Sequence, residues 1–187
     1  DIQRNLHRGP QIISLKDISW IIYDLDVKSN DIIVEAGGGS GALTTALAQS
    51  AFPDGKVITF EKNKKHYNIV KKNLELSPYS DLVELRNEEL LDQTKPLPCN
   101  SIILDLPEPQ NLINWAEKSL KLGGKILCYV PTINQVETLL SSLDKWSEIN
   151  ISEIIHRKWR TKLDAIRPDT NILGHTGFLV SARLLNK

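Results

Sequence analysis

The chain has 187 residues, a formal net charge of zero and 41% hydrophobic residues, the ordinary composition of one soluble globular domain. This neutral balance excludes a general electrostatic attraction to nucleic acid, so any such role requires a local basic patch. No apolar run approaches the roughly 18–20 residues of a membrane-spanning helix, and Cys99 and Cys128 have no metal-ligand spacing, which favours free thiols in a reducing, cytoplasmic compartment.

The beginning of the chain predicts a linker and then a helix. Residues 1–14 are mostly polar and predict an arm, and residues 15–187 are expected to form one domain. The chain starts at Asp1 and has no methionine, which predicts a fragment of a longer polypeptide. Asp17 is positioned to cap a helix over Ile18–Leu25, whose apolar residues recur three and four apart.

The stretch Asp31–Gly41 combines a strand with a glycine-rich turn. Ile32–Val34 is an apolar, β-branched run that suits a strand buried on both faces. Four glycines then fall within five positions, and a run of good helix formers follows from Ala42. A strand, a glycine turn and a helix place backbone N–H groups against a nucleotide-like ligand, because a Cβ would hold that ligand away. By itself, such a turn is a weak indication of a site.

A second strand ends in an acidic side chain. Val57–Phe60 is the next apolar run, and Glu61 follows it, 20 residues after Gly41. In doubly wound nucleotide folds an acidic residue at this place accepts hydrogen bonds from ribose hydroxyls. Glu61 could also be a solvated surface carboxylate, but together with the glycine turn it favours a nucleoside-containing cofactor. The glycine spacing departs from the G-x-G-x-x-G pattern of NAD-binding proteins.

Strands and helices alternate through the rest of the chain. The predicted helices are Lys64–Leu76, Leu112–Leu120 and Ile133–Leu143, and the predicted strands are Asp81–Leu85, Ser101–Leu106, Lys125–Val130, Ile149–Trp159 and Gly177–Leu184. This alternation predicts a mostly parallel, twisted α/β sheet with helices on both faces. No helix separates the last two strands, so one of them is expected to be an antiparallel edge strand.

Asp105 lies near the end of the fourth strand, within the stretch LDLPEP. In open α/β sheets ligands bind beyond the carboxyl ends of the strands, which makes this carboxylate a candidate site residue. Pro107 and Pro109 stiffen the loop that follows. The alternative is a structural role, in which Asp105 caps the next helix or bonds a loop amide.

His156–Lys162, HRKWRTK, is a basic segment around an aromatic side chain. Its cations could contact a phosphate backbone while Trp159 stacks on a base. The alternative is a solvated strand edge with Trp159 in the core. Other chemistries have no support, because the four histidines lack metal-ligand spacing, no nucleophile elbow is present and no Walker lysine follows the glycines. No metal is therefore expected.

The glycine turn resembles the E-x-G-x-G-x-G motif of class I S-adenosylmethionine (SAM) methyltransferases, which have a Rossmann-like fold; it reads Glu35-Ala36-Gly37-Gly38-Gly39-Ser40-Gly41. Further stretches narrow the resemblance: Gln11-Ile12-Ile13 before Lys16-Asp17, LDLPEP, PTINQV, Arg167-Pro168 and GHTGFLV. In this order, from about Arg8 to Arg183, they resemble the tRNA adenine-N1 methyltransferases. That family modifies position 58 of the tRNA T-loop and, in archaeal members, also position 57.

The resemblance implies a role for each matching residue. The positions implied to bind SAM, or its product S-adenosylhomocysteine, are Gln11, Gly37, Gly39, Ser40, Gly41, Leu43, Glu61, Asn87 and Asp105. Asp105 matches the aspartate that holds the target adenine and is the expected catalytic residue. The positions expected to contact tRNA are Arg157, Lys158, Trp159, Arg160, Arg167 and His175.

Two positions depart from the family pattern. Asn87 stands where many members have an aspartate that contacts the adenine of SAM, and Gln110 stands where many have tryptophan. Family members usually carry an N-terminal β-domain, for which this chain is expected to have no counterpart. They also form tetramers, so the resemblance implies tRNA and further copies of the chain as partners, and no membrane.

Two other functions stay open at this point. The chain could be a class I methyltransferase of a small molecule such as a corrinoid precursor, which the zero net charge favours. It could also be a catalytically silent subunit that binds RNA or a partner, although the glycine turn, Glu61 and Asp105 argue against that role. The stretches PTINQV and GHTGFLV favour the tRNA enzyme.

Overall fold

Apolar, β-branched runs form the central strands of the protein, and helices cover them on both sides. The computed structural model describes residues 12–186. Its helices are α1 (Leu15–Asp24), α2 (Ala42–Ala51), α3 (Lys64–Leu74), α4 (Ile113–Ser119) and α5 (Ile133–Leu140). Its strands are β1 (Ile32–Ala36), β2 (Lys56–Phe60), β3 (Val83–Arg86), β4 (Cys99–Leu104), β5 (Leu120–Val130), β6 (Ser147–Ser152), β7 (Trp159–Arg160), β8 (Arg167–Pro168) and β9 (Phe178–Arg183).

Seven strands form one sheet in the order β3-β2-β1-β4-β5-β9-β6. The pairs β1–β2, β1–β4, β2–β3 and β4–β5 are parallel, whereas β9 runs antiparallel to β5 and β6. The predicted mostly parallel sheet with an antiparallel strand is confirmed; β9 lies one strand in from the edge, which β6 occupies. The strands β2 and β3 are added in turn on one side of β1, and β4 then pairs with the other side of β1. A crevice therefore opens at the carboxyl ends of β1 and β4.

The C-terminal part differs from the sequence prediction. The predicted strand Ile149–Trp159 is wrong as a single element, because β6 ends at Ser152 and Trp159 pairs with Pro168 in the β7–β8 hairpin. Residues 153–158 are mostly exposed, so no burial of side chains holds them against the sheet.

The first helix also begins earlier than predicted. Helix α1 starts at Leu15 with Ser14 as its N-cap, so the predicted capping role of Asp17 is wrong. Asp17 instead lies inside the first turn of the helix and is completely buried. Its carboxylate therefore needs partners within the protein.

Alternate residues of the central strands face opposite layers of the fold. Val34 and Ile102 pack with Trp115 of α4 in one hydrophobic cluster, and Ile33 and Ile103 pack with residues of α1 and α2 in the other. Both faces of the sheet are thus covered, which leaves the strand ends accessible to ligands. No helix of residues 12–186 has the length and apolar character that crossing a bilayer requires.

Candidate functional site

The glycine-rich turn is held against the end of β2 by backbone hydrogen bonds. The Gly37 and Gly38 N–H groups donate to the Phe60 carbonyl oxygen at 3.0 and 3.2 Å. Gly37, Gly39 and Gly41 have φ values of +95°, +56° and +79°, a region that residues with a Cβ rarely adopt. Glycine at these positions therefore permits the tight passage from β1 into α2.

Glu61 joins the same turn to the end of β2. Its Oε2 accepts the Gly39 N–H at 2.9 Å, and its Oε1 accepts the Asn63 N–H at 2.8 Å. The residue is only 7% exposed, and His66 Nδ1 lies 3.9 Å from Oε1. Two backbone amides thus fix the carboxylate and leave lone pairs for further donors, such as the hydroxyls of a ribose.

A cavity of about 250 Å³ opens beside this carboxylate, and we call it the cofactor cavity. Gly37, Phe60, Glu61, Leu90 and Asp105 are among the residues that line it. Apolar side chains from two strand ends can cover the face of a base, while Glu61 can accept hydrogen bonds from hydroxyl groups. The lining therefore suits a nucleoside.

The backbone of Asp105 lies so close to the glycine turn that a side chain at position 37 would clash with it. Its N–H donates to the Ala36 carbonyl oxygen at 2.9 Å, which continues the β1–β4 pairing beyond the strand ends. A Cβ on Gly37 would lie 2.2 Å from the Asp105 carbonyl oxygen. Glycine at position 37 therefore lets the two loops meet and fixes the backbone from which the Asp105 carboxylate extends.

Asp105 is a wall shared by two cavities. A second cavity of about 130 Å³, here called the inner cavity, is lined by Asp105 together with Ile12, Ile13, Tyr129, Pro131 and Thr176. Desolvation and, after it, the nearby charge of Glu61 raise the pKa of Asp105 to about 6. No hydrogen bond within residues 12–186 engages this carboxylate, so both oxygens can accept from a ligand.

The loop after Asp105 is organised by other residues. The 3₁₀ helix that follows covers Pro109–Leu112 and has Glu108, not Asp105, as its N-cap. Gln135 Nε2 of α5 donates to the Pro107 carbonyl oxygen at 2.9 Å and holds this loop. The capping role that the sequence left open for Asp105 is therefore wrong.

Glu35 of β1 is a second acidic residue with a raised pKa. It is completely buried, Thr44 Oγ1 of α2 donates to its Oε2 at 2.5 Å, and its Oε1 has no hydrogen-bond partner within the described residues. Burial, opposed by the hydrogen bond from Thr44, raises the pKa of Glu35 to about 7. The sequence motif contains Glu35, but the burial that shifts its pKa is visible only in the fold.

This geometry belongs to a known group of proteins. The family model described as "tRNA methyltransferase complex GCD14 subunit" matches residues 3–167. The chain belongs to this family.

Two relatives of this chain are both named as tRNA adenine-N1 methyltransferases. TrmI of Methanocaldococcus jannaschii, named tRNA (adenine(57)-N(1)/adenine(58)-N(1))-methyltransferase, is 30% identical over 98% of this chain and 75% of its own length. The TRM61 catalytic subunit of Yarrowia lipolytica, named tRNA (adenine(58)-N(1))-methyltransferase, is 26% identical over 87% of this chain and 44% of its own length. The chain thus spans three quarters of the archaeal relative and less than half of this fungal one.

Solved structures share the fold over the whole chain. TrmI of Aquifex aeolicus, a tRNA methyltransferase, has a TM-score of 0.89 and 30% identity, covering 100% of this chain and 75% of that one. A SAM-dependent O-methyltransferase of Thermotoga maritima has a TM-score of 0.93 and 29% identity, covering 100% and 71%. The precorrin 8W decarboxylase of Methanobacterium thermoautotrophicum, at 18% identity, a TM-score of 0.79 and 94% coverage of each chain, shares the fold alone.

Three further residues expected to bind the cofactor lie at the end of the glycine turn and in the first turn of α2. The Ser40 hydroxyl accepts a hydrogen bond from the first residue of α2 at 3.3 Å, and Leu43 is buried in the core. A Cβ on Gly41 would lie 3.2 Å from Val70 Cγ1, so glycine here lets α3 pack closely. Ser40, Gly41 and Leu43 shape the turn without lining the cofactor cavity. Gln11 lies outside the described residues.

Asn87 does not line the cofactor cavity but hydrogen-bonds the backbone of residues that do. Its Nδ2 donates to the backbone carbonyl oxygens of Glu61 and Lys62, at 2.8 and 3.4 Å. The next two residues, Glu88 and Glu89, line the cavity. The sequence places Glu88 with Asn87 among the polar residues that follow a strand, whereas sequence reasoning misses Glu89. The position of Glu89 shortly after β3 is the signal that could have identified it, because Glu61 follows β2 in a similar way.

The basic segment forms the exposed β7–β8 hairpin. Trp159 is 59% exposed, so the alternative that places it in the core is wrong. The register sets Arg160 opposite Arg167, and Arg157 and Lys158 are exposed just before the first strand. The fold therefore brings five of the six residues expected to contact tRNA onto one hairpin and its immediate approach.

His175 lies apart from that hairpin. Its Nδ1 contacts Glu153 Oε1, and its Nε2 lies 3.0 Å from the Pro131 carbonyl oxygen. The hydrogen bond to Glu153 and then that to Pro131 raise the pKa of His175, because both partners are acceptors that favour the doubly protonated ring. His175 thus lies beside the inner cavity, which Pro131 lines.

Tyr129 is a residue that sequence reasoning misses. It lies near the end of β5, lines the inner cavity with Asp105, and is 8% exposed. Burial raises the pKa of the Tyr129 phenol to about 12, so its hydroxyl stays protonated near neutral pH. The rule that ligands bind beyond strand ends points to Tyr129 as it points to Asp105.

We expect Gly37→Ala to destabilise the protein more than the matched variant Gly123→Ala. Both glycines have positive φ, but a Cβ on Gly123 meets nothing within 4 Å. Gly123→Ala should cost about 1–2 kcal/mol for the left-handed backbone alone. Gly37→Ala should cost roughly 1–3 kcal/mol more, because the Asp105 backbone must move. Urea unfolding measures both values, and equal losses would contradict the close approach.

We expect Glu35→Gln to remove a pH dependence of the free energy of unfolding. A carboxyl with a raised pKa in the folded state binds more protons there than in the unfolded chain, so stability falls as pH rises from about 4.5 to about 7. The variant should gain up to ~3 kcal/mol over the natural chain by pH 8. Exposed Glu137→Gln serves as the control. Parallel unfolding curves for Glu35→Gln and the natural chain between pH 5 and 8 would overturn this expectation.

Proposed function

We propose that the protein transfers a methyl group from SAM to N1 of an adenosine in the tRNA T-loop, at position 58 and with position 57 as a further target. Membership of the GCD14 family and the names of its relatives support this reaction. One observation carries the proposal. The Asp105 carboxylate stands between a cavity suited to a nucleoside cofactor and a second cavity at the same strand ends.

The residues of the cofactor cavity fit SAM. Glu61 is fixed by two backbone amides and can accept hydrogen bonds from the ribose hydroxyls. Gly37 and Gly39 keep side chains out of the turn, and Phe60 and Leu90 offer apolar surface to the adenine. When bound, SAM supplies an electrophilic methyl group on a positively charged sulfur.

Asp105 then acts on the target base. Adenine N1 is neutral before methylation and the product ring is cationic, so positive charge develops on the base during the reaction. A carboxylate that accepts the exocyclic N6–H stabilises this charge more than it stabilises the neutral base. No hydrogen bond from the described residues 12–186 engages the Asp105 carboxylate, which leaves both of its oxygens for that contact. We propose that neither a general base nor a metal takes part, since N1 has a free lone pair.

The inner cavity would hold the target base in line with the methyl group. Asp105, Tyr129 and Pro131 line this space, which a flipped base would enter. Gln135 holds the loop that carries Pro107 and so supports the wall next to Asp105. The contribution of these residues is alignment of the reacting atoms.

The β7–β8 hairpin would contact the tRNA backbone. We assign phosphate contacts to Arg157, Lys158, Arg160 and Arg167, and base stacking to the exposed ring of Trp159. A groove of about 420 Å³ runs between this region and the start of α1. The residues just before that helix, Ile12 and Ile13, line the inner cavity. His175, beside that cavity, would contact the same RNA segment.

Assembly into a homotetramer and a cytoplasmic location belong to the same proposal. Leu163, Ile166 and Leu173 are 78, 63 and 65% exposed, and such apolar side chains suit burial against another copy. Within the described residues neither Cys99 nor Cys128 forms a disulfide, and reduced thiols are the support for a reducing compartment.

The test of the function is methylation of a defined tRNA. Incubation of the protein with labelled SAM and a tRNA transcript should give 1-methyladenosine in the T-loop, identified by nuclease digestion and mass spectrometry. A transcript with guanosine at position 58 is the control and should lose the label, or keep only the part at position 57. A SAM-binding protein that leaves all tRNA unmodified would overturn the proposal in favour of a small-molecule methyltransferase or a silent subunit.

We expect Asp105→Asn and Asp105→Ala to bind S-adenosylhomocysteine nearly as well as the natural chain and to transfer methyl groups about 100- to 1000-fold more slowly. The rate of the natural chain should rise as pH increases through about 6, because the active form is the ionised carboxylate. This rise of the rate with pH should be absent in Asp105→Asn, because the amide does not ionise.

Glu108→Gln is the matched control for Asp105. Glu108 is an exposed acid in the same loop, so its substitution should change neither the rate nor the rise of the rate with pH. Single-turnover methyl transfer at several pH values, measured beside thermal stability, separates the cases. An Asp105→Asn variant that is fully active, and only less stable, would remove Asp105 from the reaction.

A further inference from the structure

Asp17 of α1 is a buried charge with partners from distant parts of the chain. Its side chain is completely buried, and its Oδ2 accepts the Thr176 hydroxyl at 2.7 Å and the Ser14 hydroxyl at 2.8 Å. Lys16 Nζ lies 2.8 Å from its Oδ1. The Tyr129 hydroxyl donates to Oδ2 at 3.5 Å. We call these five residues the Asp17 cluster.

Local helix stability does not account for this arrangement. Ser14 holds the N-cap position of α1, and the Asp17 carboxylate turns to residues of β5 and of the loop before β9. A carboxylate removed from water is costly unless charge and hydrogen bonds compensate for the lost solvation. Lys16 supplies the charge and three hydroxyl groups supply the hydrogen bonds.

The Asp17 cluster forms one side of the inner cavity. Tyr129 and Thr176 belong to the cluster, and both line that cavity with Asp105. Lys16 Nζ also donates to Thr176 Oγ1 at 2.6 Å. The Thr176 hydroxyl is thus fixed as donor to Asp17 and acceptor from Lys16, while the Tyr129 hydroxyl, as a donor to Asp17, keeps lone pairs for another partner.

We propose that Asp17 is a positioning residue for methyl transfer, acting through Thr176 and Tyr129 to fix the part of the inner-cavity wall that these two side chains form beside Asp105. This inference rests on the proposed function, because it assigns the inner cavity to the target base. Asp17 does not line the cofactor cavity, and neither do its hydrogen-bond partners among the described residues. Its loss should therefore change the alignment of the base and leave cofactor binding intact.

The test compares Asp17→Asn with Asp24→Asn. Both acids belong to α1 and both pair with a lysine. Asp24 pairs with Lys125 at 3.2 Å, and neither of these two residues lines the inner cavity. Asp17→Asn keeps the shape of the side chain and removes its charge. It also replaces one acceptor oxygen by an NH₂ group, which cannot accept the hydrogen bonds that the hydroxyl groups donate. Asp24→Asn controls for the general loss of a helix ion pair.

We expect Asp17→Asn to lower kcat on tRNA about 10- to 100-fold, with an unchanged dissociation constant for S-adenosylhomocysteine. Asp24→Asn should keep the natural kcat even where its thermal stability falls. Equal kcat values in the two variants, or a loss of cofactor affinity that matches the loss of kcat, would overturn the positioning role.

Thr176→Val tests the same contact from the other side and covers the case in which Asp17→Asn does not fold. It removes the hydroxyl, keeps the branched shape, and should also lower kcat without changing cofactor affinity. If Asp17 acts through Thr176, the double variant should be no slower than Asp17→Asn alone, because the two changes break one interaction. Multiplied losses in the double variant, or natural kcat in Thr176→Val, would contradict the mechanism.

The outcome separates this inference from the proposed function. If the natural chain forms no 1-methyladenosine, the proposed function fails first and the variants are not needed to show it. If the natural chain methylates tRNA and Thr176→Val and Asp17→Asn do so at the same rate, the function stands and the positioning role of Asp17 is overturned.

Discussion

The backbone contact between the glycine turn and Asp105 is the constraint on which the site depends. Asp105 N–H bonds the Ala36 carbonyl oxygen at 2.9 Å, and a Cβ on Gly37 would lie 2.2 Å from the Asp105 carbonyl oxygen. β1 and β4 are the strands between which the direction of sheet growth changes, so the crevice opens there. Because position 37 is a glycine, the loop after β1 can contact the loop after β4 at the base of this crevice. This contact fixes Asp105, which lines both cavities.

Three carboxyl groups at these strand ends differ because their surroundings differ. Glu61 accepts two backbone N–H groups and is a fixed acceptor. Asp105 is desolvated and has no hydrogen bond within the described residues, which keeps it available to a ligand. Glu35 is buried, with one hydrogen bond from Thr44 and a pKa of about 7, so the protonated form is well populated near neutrality. The same functional group thus differs in its hydrogen bonds and in its exposure to solvent from one strand end to the next.

The C-terminal region supplies what the central sheet lacks. The loop before β9 places Thr176 against Asp17, and His175 bonds the Pro131 carbonyl oxygen, so two side chains of one loop meet the strand end of β5 and the first helix. The β7–β8 hairpin carries its basic residues outside the sheet. A class I methyltransferase fold is therefore accompanied by an exposed basic hairpin and by a C-terminal loop that packs against the strand ends and the first helix.

The sequence by itself determined the parallel sheet, the glycine turn and the positions of Glu61 and Asp105, because apolar periodicity, positive φ and a polar residue at a strand end are local features. Only the tertiary structure decided the break of the predicted strand Ile149–Trp159, the burial of Glu35 and the cluster around Asp17. Hydrogen bonds in that cluster join residues 112 and 159 positions apart. No local pattern encodes such contacts, since they arise only when the sheet brings β5, β9 and α1 together.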